Sequence, residues 1–84
     1  SPNPFLSKTN IAFSIPYQTD VLIQVFDVSG RIVKKLVSGR LHPGYFSVLW
    51  NGNDTKGRKI PAGIYFIQMS AGDFTAQEKV ISVR

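Results

Sequence analysis

Apolar residues recur at every second position in short runs along the chain, each run closed by proline, glycine, aspartate or asparagine. A period of two puts alternate side chains on opposite faces of an extended backbone, so runs of this kind form half-buried strands. Ile11, Phe13 and Ile15 share one face of the first run, with Ala12 and Ser14 opposite. Pro16 has no N–H to give a ladder and ends it. Val21, Ile23 and Val25 face inward from the second run, and Asp27, Ser29 and Gly30 make the turn that follows. Gly30 takes positive φ there, which glycine does at little steric cost.

The third run, RIVKKLV, breaks the period, because Val33 and Leu36 are three apart. A bulge or an edge position accounts for that, and Lys34 beside Lys35 suits an edge guarded against further pairing. SGRLHPG reads as a loop, with Pro43 and Gly44 marking the next turn. In YFSVLW, Phe46, Val48 and Trp50 share one face while Tyr45, Ser47 and Leu49 occupy the other. Apolar area on both faces predicts a central strand. Tyr65, Ile67 and Met69 form a face of IYFIQM, Ala71 to Asp73 reverse the chain, and FTAQEKVISV pairs back on the strand before it. No window keeps a 3.6-residue apolar period over the turns a stable helix needs. Six strands, with a short seventh around residues 58–60, predict an all-β sandwich. No internal repeat stands out.

Composition sets the limits on function. Eighty-four residues hold one domain with a modest core, and 43% hydrophobic against 18% charged is a globular balance. With no cysteine there is neither a disulfide framework nor a thiolate metal site. No apolar run reaches the length of a bilayer span, and SPNPFLSKTN lacks the apolar core of a signal peptide, so no membrane insertion is expected. The net charge of +5 comes from small groups, Lys34 with Lys35 and Lys56 with Arg58 and Lys59. They read as solvated strand faces and turns, not as the aromatic-studded basic stripe of a nucleic-acid binder.

The candidate sites argue against chemistry. WNGNDTKG offers oxygens from Asn51, Asn53 and Asp54, but a calcium loop needs more carboxylates, and Lys56, Arg58 and Lys59 stand close by. No metal and no cofactor are expected. The same residues serve better as turn formers: Asn51, Gly52, Asp54, Gly57, Pro61 and Gly63 connect one strand to the next. Trp50 and Tyr65 border that connection as packing residues, with the Tyr65 hydroxyl placed on a backbone carbonyl. His42 is the single histidine, in a proline–glycine turn, and neither Ser38 nor Ser47 has the context of an activated nucleophile. The five carboxylates are scattered singly, and no glycine-rich phosphate loop leads into a helix. No catalytic residue is expected.

Several stretches together resemble a known family: NPF at Asn3 to Phe5, TNIAFSIP, VLIQVFDVSGRIV, GYFSVLWNGNDTKGRKIPAGIYF and the final KVISVR. They are similar to the type A C-terminal sorting domain of the type IX secretion system, and to the related immunoglobulin-like domain of flagellar hook-capping proteins. DVSGR and WNGNDTKGRKIPAGIYF are the most specific parts. The resemblance implies an immunoglobulin-like β-sandwich of about seven antiparallel strands in two sheets. Residues 1–8 would be a linker carrying NPF, and residues 9–84 the sorting domain.

It further implies a monomeric secretion signal that directs an upstream cargo domain, by way of the periplasm, to the cell surface or medium. The outer-membrane translocon would recognise it and a cell-surface sorting peptidase would remove it. Lys79, Val80, Ile81, Ser82, Val83 and Arg84 would match the segment tied to recognition, while Gly30 and Arg31 of the DxxGR element would be structural. The chain's ending just after its last strand favours this reading. The alternatives are an assembly domain of a hook-capping-like protein, or a spacer or carbohydrate-binding module with Tyr17, Tyr45 and Phe74 as its aromatic platform.

Overall fold

The computed structural model describes residues 8–83. The expected linker and its NPF segment therefore lie outside the described residues apart from Lys8, as does Arg84. Six strands follow in order: β1 (Thr9–Ile15), β2 (Thr19–Asp27), β3 (Ile32–Leu41), β4 (Gly44–Trp50), β5 (Gly63–Ala71) and β6 (Phe74–Ser82). They form two antiparallel sheets, β1–β4 and β3–β2–β5–β6, in an immunoglobulin-like sandwich.

The core lies between the sheets, where alternation delivers its apolar side chains. Ile15, Val21, Ile23, Val25, Trp50, Tyr65 and Ile67 are buried in one cluster, and Ile11, Phe13, Phe46 and Met69 pack against it half-buried. Val48, opposite Ile11 in the register, is half-buried. Phe13 and Phe46 face each other across the β1–β4 ladder with stacked rings 5.5 Å apart. Trp50 and Tyr65 join the two sheets edge to face at 5.8 Å, a favoured aromatic geometry. Ile60, Ala71 and Val80 complete the buried set.

The irregular third strand has a clear explanation. β3 is an edge strand, and its pairing with β2 slips twice. Ile23 pairs with Val37 and Gln24 with Lys35, so Leu36 is extra; Val25 pairs with Lys34 and Phe26 with Ile32, so Val33 is extra. The two residues that break the period of two are the two bulged residues.

Three expectations need correction. SGRL is strand and not loop, because Ser38, Gly39, Arg40 and Leu41 pair with Leu22, Val21, Asp20 and Thr19. β4 is not central: its sheet has two strands, and its second apolar face is solvent-exposed, with Tyr45 93% and Leu49 53% accessible. The short seventh strand is reduced to a single bridge between Asn53 and Lys59.

Candidate functional site

At one end of the sandwich the β2–β3 turn and the long β4–β5 connection approach each other across a shallow cleft of about 420 Å³. The two segments carry the same five-residue pattern, DVSGR at 27–31 and DTKGR at 54–58. Sequence reasoning noticed the first copy and missed the second, although identical spacing of aspartate, glycine and arginine was there to be found.

The two turns repeat one hydrogen-bond plan. Asp27 Oδ1 accepts the backbone N–H of Ser29 at 2.9 Å and of Arg31 at 3.0 Å, and Asp54 Oδ1 accepts those of Lys56 and Arg58, each at 2.9 Å. The Gly30 N–H donates to the Asp27 carbonyl and the Gly57 N–H to the Asp54 carbonyl. The Asp27 and Asp54 N–H groups donate to the carbonyls of Arg31 and Arg58. Gly30 and Gly57 sit at φ +87° and +81°, where a side chain is strained and glycine is not. Each arginine then folds back on its aspartate, Arg31 Nε at 3.5 Å and Arg58 Nε at 3.0 Å from Oδ2.

These contacts hold both carboxyls below the usual carboxylate range. For Asp27 the leading cause is the Ser29 hydroxyl, which donates to Oδ1 at 2.6 Å, followed by the Arg31 N–H. For Asp54 it is the Arg58 N–H, with partial burial opposing and the Arg58 guanidinium and Lys56 N–H adding. Each charge is thus answered by N–H dipoles within its own turn.

The β4–β5 connection is tied down at several further points. Trp50 Nε1 donates to the Asn53 carbonyl at 3.0 Å, and the Ile60 N–H donates to the buried Gly52 carbonyl at 2.9 Å. The Thr55 N–H and hydroxyl both donate to the Val33 carbonyl, exposed for this purpose by the β3 bulge. Ile60 is buried, the exposed Pro61 follows it, and the Pro61 carbonyl accepts the Tyr65 hydroxyl at 2.7 Å. Burial pushes the Tyr65 phenol up, and the charge of Asp27 adds to the shift. Gly63, at φ +152°, opens β5. Asn51 is exposed at the end of β4, and Asn53 contributes its backbone carbonyl. Of the oxygens considered for calcium, the Asp54 carboxylate is engaged within its own turn, and among the described residues no group of three or more His, Cys, Asp or Glu side chains could hold a metal.

The segment matched to recognition divides within β6. Val80 and Ser82 are buried, Ile81 and Val83 half-buried, and Lys79 exposed; residues 74–79 face solvent throughout. His42 is an exposed linker residue between β3 and β4, and Ser38 and Ser47 are exposed on different sheets. Tyr17 and Phe74 are more than half exposed, as is Tyr45, but Tyr45 lies on the other sheet from Phe74.

Comparison with known proteins agrees with this architecture. Residues 5–74 match the family described as FlgD Ig-like domain. The chain is similar in structure to FlgD from P. aeruginosa, with 22% identity and a TM-score of 0.65 over 88% of this chain and 61% of that one. It is similar to FlgD from Xanthomonas campestris, a protein described in connection with hook capping essential for flagellar assembly. There the identity is 24% and the TM-score 0.67, over 94% of this chain and 58% of that one. Dimeric latent PorU from Porphyromonas gingivalis gives 20% identity and a TM-score of 0.72, over 98% of this chain and 9% of that one. The chain thus spans about three fifths of the FlgD chains and under a tenth of PorU. No curated protein matches it.

Proposed function

Because this chain belongs to the family of FlgD Ig-like domains, we propose that it is an assembly module of a larger hook-capping-like protein, acting outside the cell or at its surface. The domain is non-catalytic, and its activity lies in the shape and edges it presents. The observation that carries the reading is the family match over residues 5–74, which takes in β1 to β5 whole and, of β6, only Phe74.

The edges differ in how they meet partners. β3 is bulged twice and carries Lys34 and Lys35, devices that discourage strand addition. β6 pairs with β5 in unbroken register, from Ala71 opposite Phe74 to Gly63 opposite Ser82. Its exposed stretch from Phe74 to Glu78 is the regular edge on which a partner segment adds by main-chain pairing.

A second reading has its own support. The likeness to PorU covers 98% of this chain, β6 included, and the resemblance of KVISVR to a sorting signal falls on that same strand. In this reading the domain is an export tag read by an outer-membrane translocon. Burial of Val80 and Ser82 bears on how it is tested, since deleting residues 79–84 removes part of the core.

The test is a pair of fusions. This chain replaces the Ig-like domain of P. aeruginosa FlgD, and hooks and swimming are scored in a strain lacking its own FlgD. In parallel it is appended to an inert reporter in a bacterium with type IX export. Restored hooks support the assembly module. A folded, stable chimaera that builds no hooks, with the reporter arriving at the surface, overturns it in favour of the tag.

A further inference from the structure

We propose that the cleft between the two DxxGR turns is a docking site for an acidic peptide segment of a partner protein, held by Arg31 and Arg58. Both arginines line the cleft, and both side chains are largely exposed, at 84% and 72%. Arg58 Nε hydrogen-bonds Asp54 and Arg31 Nε lies 3.5 Å from Asp27, which leaves the terminal nitrogens of both to bind a second carboxylate as a fork. Asp27 and Asp54 also line the cleft and offset two of its positive charges, so the attraction rests on the outward-facing guanidinium nitrogens and on Lys56. Lys56 adds a third positive charge to the lining.

Between these charges the lining is apolar, with the buried Ile60 and Tyr65 beside the exposed Pro61 and Ile32. Arginine forks set among apolar side chains are complementary to a peptide that alternates carboxylate and aliphatic side chains, and less so to a free inorganic anion. The geometry is prepared in advance: two glycines at positive φ, the Thr55–Val33 bonds and the Trp50–Asn53 bond fix the backbone on either side. A partner ordering itself here therefore meets a preorganised surface. The site lies apart from the β6 edge, so the inference stands or falls independently of the assembly reading.

The probe is an N-acetylated, C-amidated hexapeptide alternating glutamate and leucine, titrated into ¹⁵N-labelled protein. Its glutamine counterpart and inorganic phosphate serve as comparisons. The expected result is saturable shifts at the amides of Arg31, Thr55, Arg58 and Ile60, with the glutamine peptide about tenfold weaker or more. Arg31→Gln and Arg58→Gln should each weaken binding about tenfold, while Lys34→Gln with Lys35→Gln leaves it within about twofold. Thermal melts establish that each variant is folded, and the glutamine peptide makes the same test on the unaltered chain. Shifts that fail to saturate by about 10 mM overturn the proposal. Equal binding of the glutamine peptide, equal loss on removing the edge lysines, or phosphate binding as tightly as the acidic peptide do so too.

Discussion

The Asp27 and Asp54 turns have the same pattern and nearly the same hydrogen bonds, but they do different work. The first is a hairpin: β2 enters, β3 leaves, and the pairing of the two strands would bring its ends together without help. The second interrupts a connection of twelve residues, 51–62, between strands in different sheets. A connection of that length is expected to wander unless something holds it. Here the holding is done by Trp50, Gly52, Ile60 and Thr55, and the DxxGR turn folds the middle of the loop onto itself. One local motif thus sits in a hairpin that strand pairing already closes, and in a long loop that holds its path because the core reaches out to it.

Trp50→Ala should give the largest effect, since it removes a fully buried ring together with the Nε1 bond to Asn53. A loss of about 3–5 kcal/mol is expected in a urea melt. A loss below about 1 kcal/mol would break the comparison at its base, because the second turn would then need no anchor. Gly30→Ala and Gly57→Ala come next, each costing about 1–2 kcal/mol for a side chain in the left-handed region. A Cβ at either position meets nothing within 4 Å, so the cost is conformational and should be alike in the two turns. Unequal losses would mean that the shared geometry is not shared strain.

Acid sharpens the contrast further. Both folded carboxyls are lowered, so their contribution is complete above the unfolded aspartate value and lost as pH falls through the folded one. Asp54→Asn and Asp27→Asn should each remove part of the acid limb of a stability–pH curve and leave its neutral limb flat. The cause differs between the two: removing the Ser29 hydroxyl should shrink the Asp27 contribution and leave that of Asp54 unchanged. Thr55→Val is the smallest change, about 0.5 kcal/mol for one exposed hydrogen bond. Its amide keeps the bond to Val33, so exchange protection at Thr55 should fall by no more than the lost hydroxyl bond allows and stay unchanged at Gly30.

The parts of this molecule that were legible in the sequence are those governed by local chemistry. Alternation marks β1, β2, β4 and β5, and it places Val21, Ile23, Val25, Tyr65 and Ile67 together on apolar faces; β3 and β6 are legible only from their turns and lengths. What it misjudged depended on neighbours in space. β4 reads as central because Tyr45 and Leu49 are apolar, but nothing in seven residues says that only one strand pairs with it. The run at residues 38–41 looks like a loop because it is polar with a glycine, yet an edge strand can be polar when one partner supplies its ladder. Ile60, isolated before a proline, and Val80, late in a polar strand, carry no periodic signal of their burial. At the candidate site the individual turn residues were readable, while their convergence was not. Two DxxGR segments 27 positions apart come to one cleft only through the β3 bulge and the crossing between sheets.

The core makes a long loop as firm as a hairpin, so that Arg31 and Arg58 stand on one preorganised surface. Backbone ¹⁵N relaxation measures this directly. Order parameters of about 0.85 at residues 54–58, matching residues 27–31 and the strands, are predicted. Values below about 0.6 at 54–58, with 27–31 still rigid, would contradict it.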